Sequence, residues 1–335
     1  VWEYIVAKVR SEFPDTIFLL EGLGGKIKTM EKLLAGANLD WAYSELFQNY
    51  DRARIENYLP GCINTSSSKG ILVHFAETHD NNRLASLSKG YAMMRTALTA
   101  LCSHNGAFGI TNGVEWFATD KVDVHDASPL NWGSEENQID FISRINAILE
   151  AHPCFHDRTD LTLIEEGDSN TIVLLRKSLP LDKYLIVLAN LDHDKPNTAV
   201  WKASGFETTS EQLVDLVRGI PVKLSVSNGI AVCGLEPGQV FCLSGDMSDL
   251  KLIDDALKAR SSFEGPADRQ RLRAKVLDVH AYFSGRADMG GMDIENQAED
   301  LKKDPRAFCA SVSGMSFPPV MTWKWPEDTR RIVIT

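Results

Sequence analysis

The sequence predicts an α/β fold with parallel strands, followed by an antiparallel β-sandwich and a helical tail. Three observations carry this. Short apolar runs alternate with helical periods over the first half of the 335-residue chain. That alternation builds parallel strands covered by helices, as an open doubly wound sheet or as a barrel. After Pro153 the helical period fades, and strands separated by Gly, Asp, Asn and Pro clusters run from about 158 to 246. From Met247 helical patterns return.

The elements follow in order. Val1, Ile5, Val9 and Phe13 recur at i, i+4 spacing and predict a helix over 1–13. A strand at 16–21, a helix at 26–35 and a strand in "LDWAYSELF", 39–47, come next. A polar stretch containing "NTSSSKG" precedes the strong strand "GILVHFAE", 70–77. Leu84, Leu87, Tyr91, Met94, Leu98 and Leu101 form one helical stripe, and "AFGITNG", 107–113, is a further strand. A polar loop leads to a helix carrying Ile139, Ile142, Ile145 and Leu149. The sandwich strands are "LTLIEE", "NTIVLLRKS", "KYLIVLANLD", "TAVWKA", "VKLSV" and "GQVFCLSG". Helices at about 249–262, 266–283 and 292–303 lead to "MTWKWPED". The resulting division is 1–156, 157–247 and 248–335.

Composition excludes several function classes. Net charge is -11 with no dense basic stripe, which disfavours nucleic acid. No apolar run reaches the roughly 20 residues of a membrane span. The six cysteines are scattered without a CxxC pair, so they read as reduced core residues, and neither a metal site nor a cofactor is expected. An acidic chain of this kind suits a cytoplasmic enzyme with a neutral substrate. The sequence starts at Val1 inside a helical pattern and ends on the strand-like "RRIVIT", so we expect it to be a piece of a longer protein.

"FLLEGLGGKIKTME", 18–31, raises the question of a phosphate loop. A P-loop needs a Gly at 20 and a hydroxyl at 27; Leu20 and Ile27 stand there. Gly22 and Gly24 fit a dinucleotide fingerprint, but Ile27 replaces its third Gly. The glycines make a tight turn, and the residue of interest is Glu21. It is the first residue beyond a continuous apolar strand, at the carboxyl end where parallel α/β folds bind ligands.

The same pattern recurs. "ILVHFAETHDNNRL", 71–84, is an apolar strand that discharges into Glu77, Thr78, His79, Asp80, two asparagines and Arg83. Asp80 or Asn81 as a helix cap accounts for one polar residue. A dense set of acid, imidazole and guanidinium suits an uncharged polyhydroxylated ligand held by bidentate hydrogen bonds.

With these residues in view, "TIFLLEG" followed by "VHFAETHDNNRL" resembles the α-amylase superfamily of retaining α-glucoside enzymes. "GAFGITNGVEW", 106–116, resembles that family's eighth-strand motif, and "SPLNW", 128–132, the segment before its eighth helix. The resemblance covers about 1–246 and departs at Thr78, where the family has Asn, and at Phe108 and Thr111 or Asn112, where it has Pro and Tyr. It implies a partial (β/α)8 barrel, strands 5–8 only, followed by the family's β-domain. It implies that Glu21 is the general acid/base, that Asp80 stabilises the transition state, and that His79 and Arg83 bind substrate, with Trp116 and Trp132 as candidate stacking platforms for sugar faces or else core residues. It also implies an α-glucan or maltooligosaccharide substrate, cleaved or transferred with retention. The nucleophilic Asp would precede Val1, so residues 1–335 alone are expected to be inactive. A non-catalytic amylase-like binding or scaffold protein is the alternative.

Overall fold

The computed structural model describes residues 1–123, 130–156, 158–203, 212–259, 266–284 and 291–314. "MTWKWPED" and the first residues of "SPLNW" lie outside them.

The first part is a small parallel sheet with helices. In order it comprises α1 (Trp2–Glu12), β1 (Leu19–Leu20), α2 (Ile27–Gly36), β2 (Trp41–Tyr43), α3 (Arg52–Ser68), β3 (Ile71–Val73), α4 (Lys89–Leu101) and α5 (Ile139–Ala151). The strands pair in sequential order, β1-β2-β3, all parallel. His74 then bridges Phe108 in the parallel sense. Leu34, Ala42, Cys62 and Leu72 close the core between this sheet and its helices.

Several expected elements changed. The strand foreseen at 39–47 is three residues long, and a 3-10 turn at Glu45–Gln48, capped by Ser44, ends it. The strand foreseen at 107–113 shrinks to the Phe108 bridge, because Gly106 and Gly113 adopt positive φ on either side of it. The polar stretch before residue 70 is the end of α3. Asp51 caps that helix by accepting from the Arg54 N–H. Ile55, Leu59 and Cys62 lie on its buried face, and Thr65 and Ser66 continue that face with polar residues.

Two buried arginines fasten the layers. Arg95 donates to the carbonyls of Leu46, Phe47 and Asn49, tying α4 to the chain leaving β2. Arg176, whose guanidinium carbon lies 3.8 Å from the Phe155 ring centre, donates to the carbonyls of Leu101, Ser103, His104 and Cys154. It thereby satisfies acceptors left open at and beyond the α4 C-terminus. Burial pulls its pKa down to about 10.

The second part is an antiparallel sandwich. A six-stranded sheet runs in the order β4 (Thr159–Leu163), β5 (Thr171–Ser178), β6 (Lys183–Asn190), β12 (Val240–Ser244), β8 (Gln212–Asp215), β9 (Ile220–Lys223). The facing sheet is β10 (Ser225–Ser227), β11 (Ile230–Leu235), β7 (Asn197–Lys202). β5 and β6 read as unbroken apolar runs because both their faces are covered. Ile172, Leu174 and Val187 pack toward the core shared with α4 and α5, while Val173, Ile186 and Leu188 pack around Trp201. The expected strand "VKLSV" is divided, since β9 and β10 join different sheets. β8 and β11 were not foreseen.

In the tail, α6 (Met247–Ala259) packs against α5, and α7 (Pro266–Ser284), α8 (Ile294–Lys303) and α9 (Pro305–Ser313) close over Leu272, Val276, Leu301 and Phe308. α9 was not foreseen; Asp304 caps its start and Gly314, at φ 68°, ends it. No described helix is long and apolar enough to cross a membrane.

Candidate functional site

The chain leaves β1 and β3 at the same end of the parallel sheet. Glu21 is the residue after β1, and Thr78 to Asp80 follow the continuation of β3. A cleft of about 230 Å³ opens there. Glu21, Tyr43, Phe75, His79, Asp80 and Thr111 line it, with Val73 in its wall. The structure therefore brings Glu21, His79 and Asp80 to one cavity.

The Asp80 loop is held from beneath by a buried ion pair. Glu77 accepts from Nε of Arg83 at 2.5 Å and from the Leu84 N–H at 2.6 Å. Arg83 also donates to the Asn112 carbonyl at 3.1 Å, and the Thr111 hydroxyl donates to the Glu77 carbonyl at 2.6 Å. These bonds couple the segment after β3 to the segment after Phe108. Glu115 accepts from the Gly113 N–H, and burial pushes its carboxyl above the usual range. Above this base the loop is polar and open. The Thr78 hydroxyl accepts from the Asp80 N–H, and the His79 and Asp80 side chains lie 3.5 Å apart. Glu21, His79 and Asp80 are all exposed, so the cleft is accessible from solvent.

Two sequence expectations are corrected, and a third residue lies elsewhere than foreseen. Arg83 does not line the cleft: its side chain is fully buried and is committed to Glu77 and Asn112. Trp116 is 3% exposed and packs with Ile139 and Ala274, so its faces are covered by protein. Trp132 leans against that same cluster and is not part of the cleft lining. The aromatic wall comes instead from Tyr43 and Phe75, packed edge to face at 5.2 Å. Sequence reasoning missed Tyr43, although it is the last residue of β2 and obeys the same strand-end rule as Glu21.

A half-buried tyrosine beside carboxylates and an imidazole can stack a sugar ring and bind its hydroxyls. No Lys or Arg is among the described residues lining the cleft. For a metal, the one described group of close ligand atoms is Asp192, His193 and Asp194, in the β6–β7 turn and outside the cleft.

No family model matches the chain. An α-1,4-glucan:maltose-1-phosphate maltosyltransferase from Rhodospirillum rubrum is 22% identical over 201 residues, covering 57% of this chain and 29% of that protein. One of the same name from Cereibacter sphaeroides is 24% identical over 242 residues, covering 65% and 35%. The chain thus spans about a third of the length of these curated relatives. Among solved structures, a maltogenic α-amylase from Thermotoga neapolitana superposes with a TM-score of 0.57 at 14% identity, covering 72% of this chain and 58% of that one. An α-amylase from Lactobacillus plantarum gives 0.52 at 17% identity with the same coverage. In sequence and in fold, this chain is similar to enzymes of the α-amylase superfamily.

Proposed function

We propose that residues 1–335 form part of a retaining α-1,4-glucan-active enzyme, with Glu21 as general acid/base and Asp80 as transition-state stabiliser. The observation that carries this reading is that both carboxylates line one cleft at the carboxyl ends of parallel strands. β1, β2, β3 and the Phe108 segment are then the fifth to eighth strands of a (β/α)8 barrel, with 157–247 as its β-domain and 248–335 as a further helical unit. Glu21 protonates the departing glycosidic oxygen and later takes a proton from the acceptor. Asp80 binds the ring hydroxyls more tightly as the ring flattens, which lowers the barrier and not only the binding energy. His79 donates to a neighbouring hydroxyl and fixes the ring against Tyr43. The names of the curated relatives favour transfer to a glucan over hydrolysis. The six unpaired thiols suit a reducing, cytoplasmic setting.

Retention requires a second carboxyl about 5–5.5 Å from the acid/base. We assign it to a barrel half outside residues 1–335, in keeping with the share of the relatives that the chain covers. Such a half also buries Glu21, which its acid role requires. Residues 1–335 alone therefore bind maltooligosaccharide but turn it over at least about a thousandfold more slowly than the longer enzyme. Titration with maltotriose, before and after Glu21→Gln and Asp80→Asn, tests this. Binding weakened by both substitutions is expected. Unchanged binding, or binding of ATP with none of maltotriose, overturns it.

A further inference from the structure

A second cavity, of about 210 Å³, lies between α2 and α3. Met30, Tyr43, Tyr58, Cys62 and Leu72 are among the residues that form it. Five further hydrogen-bonding side chains join them: Glu31, Glu45, Asn57, Asn64 and Thr65. Tyr43 also lines the Glu21–Asp80 cleft, so one aromatic residue borders both cavities.

The lining selects the ligand chemistry. No Lys or Arg is among the described lining residues and two carboxylates are, so an anion is rejected. Glu31 accepts from the Thr65 hydroxyl at 3.0 Å, and Glu45 accepts from the Gly24 N–H at 2.5 Å, each through one oxygen. Two carboxylates and two carboxamides offer the acceptors and donors that adjacent hydroxyls need. The two tyrosines and the aliphatic floor suit the apolar face of a ring. Gly61, in the interior of α3, is a solvent-exposed member of the lining. Glycine there weakens the helix by about 1 kcal/mol relative to Ala. No close approach requires it, because an added Cβ would meet nothing within 4 Å.

We propose that this cavity is a second ligand site, taking one neutral hexose-sized polyol, and that its occupancy is felt at the cleft through Tyr43 and through the Glu45–Gly24 bond. That bond pins the turn immediately after Glu21. The proposal deepens the α-glucan reading, but its test can fail separately. Residues 1–335 are titrated with glucose by NMR, following the tyrosine and glycine signals, and Gly61→Leu and Asn57→Ala/Asn64→Ala are compared with the Glu21→Gln and Asp80→Asn variants. Glucose is expected to bind with millimolar affinity and to shift Gly24 and Tyr43. Gly61→Leu and the double variant should weaken it about tenfold or more without lowering the melting temperature, while Glu21→Gln and Asp80→Asn leave it unchanged. No glucose binding overturns the proposal. So does binding that is abolished by the Asp80→Asn change and untouched by Gly61→Leu. Loss of maltotriose binding at the cleft together with intact glucose binding here would sink the α-glucan reading and leave the second site standing.

Discussion

Nε2 of His152 and Oδ2 of Asp249 lie 3.1 Å apart in full burial, joining the end of α5 to the first turn of α6. Nδ1 of His152 accepts from the Cys154 N–H, so in the neutral ring Nε2 carries the proton and donates to Asp249. Ser244 donates to the same carboxylate at 2.6 Å, and Lys183 pairs with its other oxygen. Burial pushes the Asp249 carboxyl up, but the bonds from His152, Lys183 and Ser244 outweigh it and hold it well below the usual carboxylate range. A depressed folded value stabilises the fold fully above the unfolded value near pH 4, and the contribution is lost as pH falls through the folded value. Urea unfolding of Asp249→Asn should therefore show a loss of about 3 kcal/mol at pH 7. The deficit should shrink on going below about pH 4. A deficit independent of pH would contradict the assignment.

Arg83 is expected to matter for folding. Removing one partner of a buried ion pair costs about 3–5 kcal/mol, because the other charge is stranded. Arg83→Ala should lose stability of that order in denaturant titrations, as should Glu77→Ala. If Arg83 touched sugar instead, the change would weaken maltotriose binding and leave the unfolding midpoint in place.

Trp116 offers a parallel contrast. As a core residue against Ile139 and Ala274 it joins the first part of the chain to α7. Trp116→Ala should cost about 3 kcal/mol or more. Its fluorescence should not respond to maltooligosaccharide. Tyr43→Ala, by comparison, should weaken maltotriose binding by about 1 kcal/mol, the scale of an aromatic contact. Equal binding in the Tyr43 variant would remove Tyr43 from the cleft's working wall.

These contrasts mark what the sequence made legible. Glu21 and Asp80 were found by a rule about topology, that residues leaving parallel strands at their carboxyl ends converge, and the cleft contains both. Arg83 and Trp116 were placed by residue type alone. A guanidinium or an indole near a strand end turns inward or outward according to its partner, and the partner of Arg83 is Glu77, a residue that pattern reading counted as part of the same polar cluster. α3 escaped notice for a related reason. Its buried face changes from Ile55, Leu59 and Cys62 to Thr65 and Ser66, so hydrophobic periodicity fades while the helix continues. The Phe108 segment erred in the other direction: its apolar residues suggest a strand, and the flanking glycines end it after one bridge.

The six thiols give the last prediction. All are buried and none is in a disulfide. Burial pushes Cys62 and Cys233 up to about 11 and Cys102 up to about 12, so the reactive thiolate is scarce as well as covered. A thiol reagent at pH 8 should leave the native chain unlabelled over minutes and label all six residues in concentrated urea. The order of appearance at intermediate urea is informative. Cys309 belongs to the small α7–α9 cluster, whereas Cys102, Cys154 and Cys242 share the large core beneath α4 and α5. A small cluster opens at lower cost than the core it leans on. Mass spectrometry of partly labelled protein should therefore find Cys309 modified first, and simultaneous labelling of Cys309 and Cys102 would mean that the tail unfolds only with the rest.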